Sequence, residues 1–261
     1  MYFIIFDLEF NQGYDFKKTG KPVSNPKCPF EIVEIGAVKL NESLEAVECF
    51  HSLIKPKIYK RLHPFVKDMT KISNEDLSHA PSFSEVYKNF LKFIDSEYDV
   101  FCVWGTVDLK ELYRNALYHR LHKKRLPQRY IDIQSIAASH LNNPNGSSIG
   151  LRNAVEMLNI PLDNEFHNAL FDATYTAEIF KRLYSKDIKP ETYNYSTLSA
   201  AKKSVQPKTK KRLDKRSLFL QFEKMFNRKL SSEEKEMIKL AYKMGQTNQF
   251  MIEDNNKYPP A

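Results

Sequence analysis

The amino-acid sequence predicts an α/β domain on a mixed sheet, followed by a small C-terminal helical appendage. Three observations carry that expectation. Three segments rich in Ile, Val and Phe open the chain, alternating or running apolar. Segments of helical periodicity then interleave with short apolar strands, the order expected of a sheet flanked by helices. After residue 185 the composition changes abruptly.

The opening segments are YFIIFDLEF (2–10), EIVEIGAVKL (31–40) and LEAVECFHSLI (44–54). NES (41–43) makes a short turn, so the second and third form a hairpin. The loop 11–30, with Gly13, Gly20, Pro22, Pro26 and Pro29, is long enough to suggest function. SFSEVYKNFLKFIDS (82–96) carries a helical stripe of Phe83, Val86, Tyr87, Phe90, Leu91 and Ile94. VFCVWG (100–105) is a fourth strand ended by Gly105. VDLKELYRNALYHRL (107–121) follows as a helix with Thr106 as N-cap. RYIDIQSIA (129–137) begins as a strand and continues as a helix. IGLRNAVEMLNI (149–160) and NALFDATYTAEIFKRLY (168–184) complete the domain.

Beyond it, residues 186–216 read as a basic linker with little apolar periodicity. Residues 217–250 read as a helical hairpin, whose second helix opens with Ser231 and Glu234 at capping-box spacing. Residues 251–261 are expected to be a loose tail.

Charge divides along the same line. Residues 1–185 hold 23 Lys+Arg against 23 Asp+Glu, whereas residues 186–261 hold 17 against 9, which accounts for the whole net charge of +8. A basic segment of this kind suggests an anionic partner, most often nucleic acid, with a solvated linker as the other reading. Composition is otherwise that of a soluble globular protein, 42% hydrophobic and 28% charged. Cys28, Cys49 and Cys102 are odd in number and show no C-x-x-C spacing, which argues against a disulfide framework or zinc site. The apolar start lacks a basic n-region, and no apolar run approaches the roughly 20 residues of a membrane span. The expected location is cytoplasmic.

Within the first strand, Asp7 and Glu9 interrupt an apolar run. Side chains at i and i+2 share a strand face, so these acids sit side by side, with Cα atoms about 6.6 Å apart at ~3.3 Å per residue. Two buried carboxylates repel each other unless basic side chains or metal ions compensate them. Hard cations such as Mg²⁺ and Mn²⁺ take carboxylate oxygens. Asp108 lies in the first turn of a helix leaving a strand end, where it either complements the helix dipole or joins a ligand site. Asp172 flanks the apolar stripe of the 168–184 helix. On one helix, His167 and Asp172 would diverge by roughly 140°, at ~100° per residue. They converge only if His167 sits on the loop or cap before the helix, a position suited to a general base and also common for a surface histidine. The remaining histidines (51, 63, 79, 119, 122 and 140) lack ligand spacing and receive no role.

Taken in order, D-x-E (7, 9), Asp108 and H-x₄-D (167, 172) resemble the DEDDh exonucleases, the DnaQ-like 3′–5′ exonucleases of the ribonuclease-H-like fold. The resemblance covers roughly residues 1–185. DLEF and WGTVDLKEL are most similar to the branch of RNA-trimming and sporulation-inhibitor-like exonucleases. Two positions depart from the common pattern: Phe10 stands where many members carry Thr, and WGTV where they carry Asn before the second-motif Asp. The resemblance implies two Mg²⁺ or Mn²⁺ ions. Asp7, Glu9 and Asp172 would hold one, and Asp7 would bridge to a second supported by Asp108. His167 would act as general base, and nucleoside 5′-monophosphates would leave the 3′ end of single-stranded nucleic acid, RNA slightly ahead of DNA. Phe10 and Trp104 are candidates for stacking on bases, with core packing as the other reading of Trp104. The competing expectation is a non-catalytic nucleic-acid-binding or regulatory protein on the same fold.

Overall fold

The first strand shows how the sheet is sandwiched. β1 (Phe3–Gln12) sends Ile4, Phe6 and Leu8 to one face and Phe3 and Ile5 to the other, as strand alternation requires. The structure, a computed structural model, describes residues 1–19, 23–122, 125–141, 149–195, 218–220, 222–223 and 228–246. β1 pairs antiparallel with β2 (Phe30–Leu40), which pairs antiparallel with β3 (Ala46–Leu53). β4 (Val100–Val103) lies parallel to β1 on its other side, and β5 (Arg129–Asp132) parallel to β4. A two-residue β6 (Glu191–Thr192) closes the order β3-β2-β1-β4-β5-β6. This is the mixed sheet of a ribonuclease-H-like fold.

Helices cover both faces. Between β3 and β4 run α1 (Pro64–Thr70), α2 (Asn74–His79) and α3 (Phe83–Ile94). α4 (Val107–Tyr118) follows β4, α5 (Ile133–His140) follows β5, and α6 (Leu151–Met157) and α7 (Ala169–Leu183) come next. One core joins Ile4, Phe6 and Leu8 to Phe90 of α3, Leu112 of α4 and Phe101. The rings of Phe6 and Phe101 stand 4.8 Å apart. Each such fully buried ring contributes about 1.5–3 kcal/mol relative to exposure. The second core joins Phe3 and Ile5 to Ala137 of α5, Val155 of α6 and Phe180 of α7.

The short helices α1 and α2 and the short β6 are additions to the elements expected from the sequence. β6 lies within 186–216, the stretch read as linker, and Tyr193 and Tyr195 beyond it stack on Tyr113 at 5.2 and 5.0 Å. Residues 196–216 of that stretch, and the tail 251–261, lie outside the described residues.

The chain divides into two units, Met1–Lys202 and Lys203–Ala261. In the second, residues 218–220 and 222–223 are helical, and α8 spans Ser232–Gln246. Its start carries the expected reciprocal cap: Glu234 N donates to Ser231 Oγ at 3.2 Å, and Ser231 N to Glu234 Oε2 at 2.8 Å. Residues 217, 221, 224–227 and 247–250 of the expected hairpin are outside the described set. Among the described residues no helix is long and apolar enough to cross a membrane.

Candidate active site

Phe3 and Ile5 pack toward α7, where the Phe180 ring lies 5.1 Å from that of Phe3. Two steps of the same alternation put Asp7 and Glu9 on that face, toward the start of α7. Register sets their neighbours: Asp7 pairs with Gly36 and Glu9 with Glu34. A Cβ at Gly36 would stand 2.1 Å from the backbone of Ala169 and Leu170. The missing side chain therefore lets the first turn of α7 rest directly on β2, which brings Asp172 over the two acids.

Glu34 pins that helix start. Its carboxylate accepts from Asn168 Nδ2 at 3.0 Å and from Ala169 N at 3.3 Å, and lies 2.6 Å from His51 Nε2. Asn168 is the N-cap of α7, its side chain accepting from Leu170 N and Phe171 N. His167 consequently precedes the helix. It is exposed, with φ +69°, a left-handed conformation uncommon outside glycine and somewhat favoured by Asn, Asp and His. Its backbone N–H donates to Asp172 Oδ2 at 3.0 Å.

Asp108 arrives from the opposite side of β1. β4 runs parallel beside β1, pairing Phe3 with Val100 and Ile5 with Cys102, so the chain leaves β4 at the level of Asp7. Gly105 turns it with φ +79°, its N–H donating to Asp132 Oδ1 at 3.1 Å. Thr106 takes the N-cap position of α4 without a side-chain bond, and buried Asp108 sits in the first turn.

These carboxylates share one electrostatic predicament. Burial, then the charges of Asp108, Asp172, Glu9 and Glu34, push the Asp7 carboxyl well above the usual range. Burial and the charge of Glu34 push Glu9 up to about 8. Asp108 is raised to about 7, mainly by burial, with bonds from its own N–H and that of Leu8 opposing the charges of Glu111 and Asp172. Asp172 is raised to about 6 by burial, tempered by the His167 N–H. His167 moves the other way, lowered by burial and by the charge of Arg152.

A divalent cation fits this donor set. Glu9, His167 and Asp172 each bring one ligand atom to within 4.8 Å of the others. Asp172 Oδ1 is buried with no hydrogen-bond partner among the described residues, a costly state for a carboxylate oxygen. Clustered carboxylate oxygens are ligands for hard cations, and a cation would relieve the mutual repulsion.

Asp7, Glu9, Asp108, His167 and Asp172 are thus brought together. Phe10 and Trp104 are placed differently. Phe10 packs half-buried against the α3/α4 core, its ring 6.2 Å from that of Phe30. Trp104 packs against the α5–α7 core and donates its indole N–H to Ile149 O at 3.2 Å. Sequence reasoning missed Glu34, Gly36 and Arg152. For Glu34 a signal existed, an acid interrupting an apolar strand as Asp7 and Glu9 do.

The RNase_T exonuclease family model matches residues 4–180. The 3′-5′ exonuclease DinG of Staphylococcus epidermidis is 26% identical over 156 residues, 60% of this chain and 16% of that protein. The 3′-5′ exoribonuclease 1 of Rattus norvegicus is 25% identical over 178 residues, 65% of this chain and 51% of that protein. The chain therefore spans only part of each relative. The crystallographic nuclease domain of 3′hExo, a DEDDh family member bound to rAMP, superposes with TM-score 0.61 at 21% identity. That match covers 74% of this chain and 97% of that domain; at this identity the likeness is one of fold.

Proposed function

The chain belongs to the RNase_T exonuclease family, and on that premise we propose that it is a metal-dependent 3′–5′ exonuclease acting on single-stranded nucleic acid. One observation carries the reading: Asp7, Glu9, Asp108 and Asp172 crowd together beside an exposed His167, and the backbone N–H bonds to Asp108 and Asp172 still leave all four carboxyls raised above their ordinary values. Two Mg²⁺ or Mn²⁺ ions held by those four acids would neutralise charge on the attacking and leaving oxygens of a phosphodiester.

The chain's own groups do the rest. His167, its pKa held below the ordinary imidazole value by burial and the charge of Arg152, would accept a proton from the attacking water. Its backbone N–H holds Asp172, so the base and one acid are set by a single bond. Water adds to phosphorus, the bond to the 3′ oxygen of the preceding nucleotide breaks, and that oxygen takes a proton from solvent. The products are a nucleoside 5′-monophosphate and a chain shortened by one residue. Half-buried Phe10 beside Phe30 offers an aromatic contact for the terminal base; Trp104, with its N–H committed to Ile149 O and its ring against the α5–α7 core, is the weaker candidate for stacking. RNA is the preferred substrate in this reading, supported by the exoribonuclease name of the rat relative.

The test is digestion of matched 3′-labelled RNA and DNA oligomers in Mg²⁺ or Mn²⁺. Wild type should release mononucleotides, and His167→Ala should be slower by about 10²–10⁴-fold, the usual contribution of a general base. Equal rates for His167→Ala and wild type would sink the mechanism. Binding without mononucleotide release under either metal would favour a non-catalytic protein on this fold.

A further inference from the structure

Beyond Glu9, β1 runs into a surface that the catalytic reading does not use. Asn11 is fully buried, and its side chain, besides accepting from Gln12 N at 3.0 Å, ties down one neighbouring loop. Its Nδ2 donates to Tyr59 O at 2.9 Å and Arg61 O at 3.0 Å, and its Oδ1 accepts from His63 N at 2.9 Å. Glu31 reinforces that loop, accepting from Lys57 N at 2.5 Å, Ile58 N at 2.8 Å and Tyr59 N at 2.8 Å. Buried polar groups fully satisfied in this way fix a loop in one conformation. Rigidity at an exposed loop calls for a reason.

What the loop presents is a cationic, aromatic surface. His63 meets the Tyr14 ring at 4.8 Å, Tyr14 meets Phe16 at 4.7 Å, and the Arg61 guanidinium lies 4.3 Å from the Phe16 centroid. These rings are not core: Tyr14 is 40% exposed and Phe16 41%. Phe65, 61% exposed, follows His63 closely and donates its N–H to His63 Nδ1 at 3.2 Å. Exposed Lys17 and Lys18 continue from Phe16, and exposed Lys57 and Lys60 precede Arg61. Aromatic faces among cations on a preorganised backbone are the chemistry that holds unpaired bases and their phosphates. The patch leaves the same end of β1 as Glu9, and the five residue steps from Glu9 to Tyr14 span at most about 18 Å.

We propose that Tyr14, Phe16, Arg61 and His63 form a second binding surface for single-stranded nucleic acid, gripping the strand several nucleotides before its 3′ end. The inference rests on the nuclease reading for its orientation. The occupant is a flexible single strand: its bases stack on the rings and its phosphates meet Arg61 and the lysines, whereas a duplex offers no free base faces.

The test measures binding and turnover separately, with the full chain. Fluorescence anisotropy of a 5′-fluorescein 20-mer of dT, and of its rU counterpart, is followed in EDTA so that no cleavage occurs. Tyr14→Ala combined with Phe16→Ala should weaken binding about tenfold. Arg61→Gln, which leaves the rings in place, should weaken it severalfold and lower the slope of log affinity against log salt by about one. In Mg²⁺, KM for the 20-mer should rise with kcat within twofold, and the effect should shrink as the substrate shortens toward a dinucleotide. Affinity within twofold of wild type in both variants overturns the proposal. A protein that cleaves nothing yet loses binding in these variants keeps this surface and loses the nuclease reading. Cleavage with unaltered 20-mer binding does the reverse. If the double variant melts early, Arg61→Gln alone decides.

Discussion

Charge is buried around Lys39 of β2 and around the acids of β1 beside Glu34, and the two regions handle it in opposite ways. Lys39, paired with Ile4 across the strands, is 3% exposed. Its ammonium lies 2.8 Å from Glu48 and 3.0 Å from Asp95, and near the rings of Phe93 and Tyr2. Burial pulls its pKa down, but the bonds to Glu48 and Asp95 outweigh that and hold it above the ordinary lysine value. Glu34 is bonded to Asn168, Ala169 and His51, but beside it burial and like charge push Asp7, Glu9, Asp108 and Asp172 upward together. Arg152 is a cation that acts on this group, and it reaches Asp172 and His167. A buried charge completed by its own chain is structural. A cluster left incomplete is maintained against folding stability, and what completes it comes from outside.

The widest break of that contrast is Asp7→Asn. Removing one central acid should reduce nuclease activity by about 10³-fold or more, the scale of losing a principal electrostatic element of a phosphoryl-transfer site. The same change should raise the melting temperature in EDTA, since it removes a repelling charge. Thermal melts beside the digestion assay check both. A lower melting temperature in EDTA would mean that the acids are compensated within the chain after all.

Gly36→Ala comes next and acts through packing. The added methyl would meet the backbone of Ala169 and Leu170 at 2.1 Å, a clash that a flexible side chain cannot absorb. Either α7 shifts, moving Asp172 off the site, or the strand deforms, at a cost of about 3 kcal/mol. Denaturant unfolding and activity should fall together. A variant of native stability and full activity would show that the helix does not depend on this contact.

Elements and residues differ in how far they could be read from the sequence, for physical reasons. The shared face of Asp7 and Glu9 follows from strand period alone. α3, α4 and α7 were legible because each is long enough to repeat its stripe. α1 and α2, of 7 and 6 residues, are too short to show periodicity, and β6 has 2. Glu34 showed as an acid in an apolar strand, but its pairing with Glu9 was hidden by register: the connection between β1 and β2 is long, so no turn geometry told which residue faces Glu9. Gly36 was hidden because its reason is tertiary, the approach of a helix that begins far along the chain. Asp108, His167 and Asp172 came from the order of motifs, not from local pattern.

A smaller effect separates the two regions by pH. In the metal-free protein Glu9, Asp108 and Asp172 titrate near 8, 7 and 6, above their ordinary carboxylate values. Through these three groups the folded state binds more protons than the unfolded state between about pH 4 and 8, so their contribution to stability falls as pH rises across that window. Melting in EDTA should drop by several degrees from pH 5 to pH 8, and Mg²⁺ or Mn²⁺ at pH 8 should restore it by binding the folded form. A melting temperature flat with pH and indifferent to metal would leave the cluster without its expected cost.

The least change is expected at Lys39. Lys39→Met keeps the length of the stem that packs near Phe93 and Tyr2 while removing the charge. Its partners do not become buried orphans, because the Glu48 and Asp95 side chains are 54% and 59% exposed and can turn to water. The lost ion pairs are offset by the lost desolvation of the ammonium, so stability should change by no more than about 1 kcal/mol in either direction. Activity should be untouched, since Lys39 lies at the far end of β2 from Glu34. Denaturant unfolding measures the first and the digestion assay the second. If Lys39→Met unfolds the protein, the lysine is as poorly replaceable as the acids, and self-completion within the chain no longer distinguishes a structural charge from a functional one.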